Sequence, residues 1–142
     1  MISRYFSLDE LIASDTAARK HIDNTPTAEQ LENLRETAQQ ADRVREFLGH
    51  PMIVTSGFRS LKLNAAIGGA KTSSHMTGYA IDFRCPGFGT PKEVFEALKK
   101  SDIEFDQLIL EFPDSPGSWV HIGFAPEMRH QKLVYDGQYR IA

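Results

Sequence analysis

The chain has 142 residues, 25% of them charged and 41% apolar, and carries a net charge of −3. That is the balance of a globular protein long enough to bury a core without disulfide staples. A chain of this charge has no basic stripe with which to neutralise phosphates, which excludes nucleic acid as the main partner, and its apolar runs fall far short of the ~20 residues a spanning helix needs.

The opening MISRYFSLDELIASD has no basic start followed by an apolar stretch, so no secretory leader is expected and synthesis is assigned to the cytoplasm. Ser7 with Glu10 has the form of a capping box, and Leu8, Leu11 and Ile12 follow at helical spacing, which predicts a short first helix. Asn24-Thr25-Pro26 breaks the chain, and Thr27 with Gln30 repeats the cap. Leu31, Leu34, Ala38, Ala41, Val44 and Leu48 then form one apolar face ending at Gly49, a long helix of about five to six turns.

Met52–Thr55 reads as a strand entering the loop at Ser56-Gly57, and Asn64–Ser74 as a loop or broken helix. Tyr79, Ile81 and Phe83 alternate with Ala80 and Asp82, the period of a strand whose apolar side faces inward. Thr90-Pro91-Lys92-Glu93 opens a capped helix running to about Lys100. Asp106–Phe112 and Ser118–Phe124 flank the turn Pro113–Gly117 as a hairpin, and 133–135 with 139–141 form a smaller one. The expected fold is α+β, with helices packed on a small, largely antiparallel sheet. It is read as one domain: a helical segment over 1–50, a central core over 51–124 and a terminal hairpin over 125–142. Cys85, the only cysteine, is expected to be a buried small residue, and no cysteine cage for a metal exists.

Strand parity then sorts the polar groups. Leu108, Leu110 and Phe112 share one face, as do Val120, Ile122 and Phe124; if both sets meet the core, Glu111 and His121 lie together on the opposite face. Asp82 points to the same open side, with His75 just before its strand and Gly78 allowing the backbone to turn. Two imidazoles and a carboxylate could share a metal ion with a fourth position open to water, as a catalytic zinc requires. The same residues also fit an ordinary set of solvated side chains on a sheet.

Ser73-x-His75-x-x-Gly78-x-Ala80-x-Asp82 resembles the SxHxxGxAxD signature of the zinc D-alanyl-D-alanine carboxypeptidase family, which also includes phage L-alanyl-D-glutamate endolysins. Ser56-Gly57-Phe58-Arg59-Ser60 is similar to that family's SGYRS loop and Trp119-Val120-His121 to its second-histidine strand. Phe6–Leu11 and Thr16–Pro26 resemble the lead-in segment of its small single-domain members, so the likeness covers about residues 6–124. The resemblance implies one zinc ion held by His75, Asp82 and His121. It also implies a substrate site lined by Arg59 and Ser73, with Trp119 as a cleft wall. Many relatives place the catalytic acid three residues before the second histidine, where this chain has Ser118, which cannot act as a base at neutral pH. Parity nominates Glu111 for that task, with Asp114 in the turn as second choice. The implied activity is hydrolysis of peptidoglycan stem peptides, by a monomer that reaches the cell wall after holin-mediated release. A zinc-stabilised, non-catalytic binding module of the same fold is the alternative, and a metal-free α+β domain a third.

Overall fold

The computed structural model describes residues 1–142 and has five helices on a six-stranded sheet. The helices are α1 (Leu8–Ile12), α2 (Asp15–Lys20), α3 (Ala28–Leu48), α4 (Leu61–Ala66) and α5 (Pro91–Lys99). The strands are β1 (Ile53–Ser56), β2 (Ala80–Arg84), β3 (Gln107–Glu111), β4 (Trp119–Gly123), β5 (Gln131–Tyr135) and β6 (Tyr139–Ile141). All three capping boxes expected from the sequence form, at Ser7/Glu10, Thr27/Gln30 and Thr90/Glu93, and Gly49 ends α3 in the left-handed region at φ +71.

The sheet order is β1-β2-β4-β3-β5-β6, with every neighbouring pair antiparallel except β3 and β5. The terminal hairpin therefore does not stand apart. It docks in parallel on the free edge of β3 and widens the sheet. The connection that returns the chain to the start of β3's neighbour is pinned by Arg129, whose Nε and Nη2 donate to Asp106 Oδ1 and Oδ2 at 2.9 and 2.8 Å.

One face of the sheet supplies Ile81, Phe83, Leu108, Leu110, Val120 and Ile122 to the core, joined by Leu34, Ala38, Ala41, Val44 and Leu48 of α3 and by Val94, Phe95 and Leu98 of α5. Cys85 lies in this core. Two sequence expectations change here. Tyr79 precedes β2 and is half-buried rather than part of the core, its carbonyl accepting from the Phe124 N–H at 2.7 Å. Phe112, expected on the core face, lies beyond the end of β3 at φ +50 and is exposed, because its backbone turns left-handed and breaks the alternation. No helix is long and apolar enough to cross a membrane.

Candidate metal centre and cleft

The open face of the sheet carries the polar residues that parity assigned to it. In β2 and β4, Asp82 pairs directly with His121, and His121 in turn faces Ile109 of β3. Glu111 faces Trp119, one diagonal step from His121. His75 comes from a single 3-10 turn, Ser74–Met76, whose cap is the Ser73 hydroxyl accepting from the His75 N–H at 3.2 Å.

Helix α3 holds that turn against the sheet. Gln30 Nε2 donates to Met76 O at 3.2 Å, Asn33 Nδ2 to Thr77 O at 2.9 Å and the Thr37 hydroxyl to Gly78 O at 2.7 Å. Gly78 sits at φ +90, and a β-carbon there would lie 2.7 Å from Gln30 O, so glycine alone lets the segment lie this close to the helix. The result is a fixed approach for His75, seven residues before Asp82 in sequence and adjacent to it in space.

His75 Nε2 lies 3.1 Å and His121 Nδ1 3.0 Å from the same Asp82 oxygen, Oδ1. The three ligand atoms all lie within 4.8 Å of one another, and all three residues are buried. His75 Nδ1 donates to the Gly57 carbonyl at 2.7 Å, an acceptor that fixes the ring hydrogen on that nitrogen. A neutral His75 therefore presents a bare lone pair to a carboxylate oxygen. Such a contact calls for a cation between the two groups, and the donor set of two imidazoles and a carboxylate is one that zinc accepts. The other nitrogen of His121, Nε2, is buried without a partner. Burial works to raise the Asp82 pKa, but positive charge on the His75 and His121 side, from protonated imidazoles where no ion is bound, together with their hydrogen bonds outweighs it and holds the carboxyl well below the usual range.

Arg59 braces the same carboxylate. Its Nη2 is 3.3 Å from Asp82 Oδ2, its Nε donates to Ser56 Oγ at 3.0 Å and its Nη1 to Asn64 Oδ1 at 3.3 Å. These use three of the five guanidinium N–H groups and leave two without a partner in the chain, on a residue that lines the cleft. Burial lowers the Arg59 pKa, and the charges of Asp82 and Glu111 partly offset it. Asn24 fixes the loop that carries Arg59, donating to Phe58 O at 3.0 Å and accepting from the Ser60 N–H at 2.7 Å.

Glu111 lies on the far side of the cluster. Its Oε2 accepts from the Trp119 indole at 3.0 Å and is 4.0 Å from His121 Nδ1. Burial, with the charge of Asp82 added, pushes its pKa up, while His121, Trp119 and Arg59 pull the other way. Asp114 is exposed in the turn and does not line the cleft; Ser118 is buried, its hydroxyl donating to Glu111 O at 2.8 Å across the hairpin.

Thus Arg59, Ser73, His75, Asp82, Glu111, Trp119 and His121, singled out in the sequence, all line one cleft of about 780 Å³. Sequence reasoning missed Asn64, buried and bonded to both Arg59 and Ala70 O, because no spacing marks a lone amide in a one-turn helix. It also missed the aromatic wall of Phe112, Tyr135 and Tyr139, since the parallel docking of the terminal hairpin leaves no local signal.

An open cleft with one set of three candidate metal ligands and a partly buried carboxylate beside them has the make-up of a metallohydrolase centre. The family model for peptidase M15 matches residues 4–123, and the chain belongs to that family of zinc-dependent metallopeptidases. His75, Asp82 and His121 all fall inside the match; β5 and β6 lie beyond it. No curated protein matches the chain.

Proposed function

We propose that this zinc peptidase hydrolyses amide bonds in the stem peptides of peptidoglycan, with His75, Asp82 and His121 as the zinc ligands and Glu111 as general base. The observation that carries the reading is the position of Glu111. Its carboxylate is held by the indole of Trp119 and set 4.0 Å from one member of the cluster. When bound, zinc supplies Lewis acidity that polarises the scissile carbonyl and makes water nucleophilic near neutral pH.

The remaining steps belong to the chain itself. With Oε2 of Glu111 taken by the indole, Oε1 receives the proton of the attacking water and returns it to the leaving amine. The two uncommitted N–H groups of Arg59 pair with a carboxylate of the substrate, which stem peptides carry along their length. The Ser73 hydroxyl, whose oxygen caps the turn of His75, keeps its own hydrogen for a substrate carbonyl. The likeness to small phage and prophage members supports a role in lysis or wall turnover, acting as a monomer.

Glu111→Gln tests the assignment, because the amide oxygen still accepts from Trp119 and the side chain keeps its place. Zinc-replete wild type should release muropeptides from purified sacculi, and mass spectrometry of the products names the bond cut. The variant should bind zinc in the same stoichiometry while turnover falls by about 10²–10⁴. A variant as active as wild type removes Glu111 from the chemistry, and a zinc-loaded wild type inert on every sacculus rejects peptidoglycan as the substrate.

A further inference from the structure

Strand alternation fails at one residue of the hairpin. Continuing β3, Phe112 belongs on the core side with Leu108 and Leu110, yet its backbone turns to φ +50 and brings the ring to the cleft. That conformation is costly for a residue with a β-carbon and persists where the surroundings impose it, here through the Phe112 N–H donating to Tyr135 O at 2.7 Å. The turn creates contact. Phe112 lies 5.5 Å, centroid to centroid, from both Trp119 and Tyr135, and Tyr135 lies 4.5 Å from Tyr139. Four rings thus run as a continuous strip from the indole bonded to Glu111 out to β6, where Tyr139 is 60% exposed. All four line the cleft that holds the metal cluster. Single exposed aromatics need no explanation, but a contiguous strip with a strained residue at its bend does.

We propose that this strip is a sugar-stacking subsite, taking the pyranose ring of an amino sugar to which the stem peptide is still attached. The inference rests on the peptidoglycan reading above and narrows it to glycan-linked stems. A stem peptide is built of alanine, glutamate and a diamino acid, which offer methyl groups and charges but nothing broad and flat. The amino sugar is the unit of that polymer with a wide face of C–H groups, and its hydroxyl and acetamido edges suit the phenol groups of Tyr135 and Tyr139. Aromatic rings of this kind give rigid amphipathic contact area at low entropic cost. Two of the four rings come from residues beyond the family match, so the terminal hairpin adds this surface to the peptidase core.

The test uses the full zinc-loaded chain and two substrates, a disaccharide-linked pentapeptide and the same pentapeptide with an acetylated N-terminus and no sugar. Wild type should favour the sugar-bearing substrate by about tenfold or more in kcat/KM. Tyr139→Ala, at an exposed position, should bring that ratio towards one with its melting temperature unchanged. A ratio near one in wild type, or an equal fall on both substrates in the variant, overturns the subsite. A second readout needs no turnover: Trp119 is the only tryptophan, and its emission should respond saturably to the N-acetylglucosaminyl-N-acetylmuramic acid disaccharide in wild type and not in Tyr139→Ala. Cleavage without that response overturns the subsite alone. The response without cleavage of either substrate supports the subsite and overturns the hydrolytic reading instead.

Discussion

Zinc should raise the stability of this protein without being needed for its fold, and the structure sets the scale. The core cluster of 21 buried residues is built without any of the three candidate ligands, and Arg59 holds the Asp82 carboxylate through Oδ2, the oxygen that the two imidazoles do not face. The ligand atoms lie within 4.8 Å of one another, so an ion needs only a small adjustment of side chains. Binding to the folded state alone then adds RT ln(1 + [Zn]/Kd), about 2.7 kcal/mol at a free zinc concentration a hundred times Kd. For a chain of this length that corresponds to a rise in Tm of roughly 10 °C. The assay is thermal melting followed by circular dichroism, on chelator-stripped protein and across a zinc titration. The stripped protein should melt cooperatively at the lower temperature, and His121→Ala should abolish most of the zinc-induced shift. An unfolded stripped protein would refute the claim that the core stands alone, and an equal zinc shift in His121→Ala would refute the ligand set.

Three further outcomes follow from contacts around the cleft. Arg129→Ala strips two charge-assisted hydrogen bonds from the buried Asp106 carboxylate and should cost about 1.5–3 kcal/mol in urea unfolding at pH 7, the half-exposed arginine keeping it near the lower end. Because the hydrogen bond from Arg129 lowers the Asp106 pKa in the folded state, that contribution is complete above the unfolded value near ~3.9 and fades as pH falls through the folded one. The gap between wild type and variant should therefore narrow below about pH 4; a constant gap down to pH 3 contradicts the assignment. Gly69→Ala would place a β-carbon 2.1 Å from Asn64 Oδ1 and 3.1 Å from Arg59 Nη1, so it should lower kcat/KM by about tenfold or more through the displaced arginine while zinc stoichiometry holds. Full activity there would show that Asn64 does not position Arg59. Trp119→Phe removes the indole donor to Glu111 and should lower kcat by about tenfold with zinc retained, read in single-turnover hydrolysis; an unchanged kcat separates the indole from the orientation of the base.

How far these elements could be read in advance depends on how local their causes are. The helices α1, α3 and α5 were legible because their caps and apolar faces are encoded within a few residues, Ser7/Glu10, Thr27/Gln30 and Thr90/Glu93 each forming the reciprocal bonds their spacing implies. The one-turn helices α2 and α4 were not, since six residues provide too little periodicity and no capping box; Ser14 and Ser60 cap them singly, and packing completes them. The terminal hairpin was legible as a hairpin through Asp136-Gly137. Its parallel seat on β3 was not, because the pairing of Gln107–Glu111 with Gln131–Tyr135 is a long-range choice that alternation cannot express.

The same division runs through the site and bears on how it works. Asp82, His121 and Glu111 could be placed on one face because their strands have a buried side, so the core that fixes Ile81, Ile122 and Leu110 also fixes them. Phe112 escaped because a single left-handed residue inverts parity, and it does so at the point where the hairpin leaves the core and meets the docked tail. The cleft is thus made of two parts with different origins. Its floor is set by the packing of β2, β3 and β4, whose buried side fixes which residues face the cleft. Its aromatic wall depends on one strained residue and on β5 and β6, whose last strand is exposed along its length. Changes in the wall are therefore expected to alter what the cleft binds while Asp82, His121 and Glu111 keep their places on the floor.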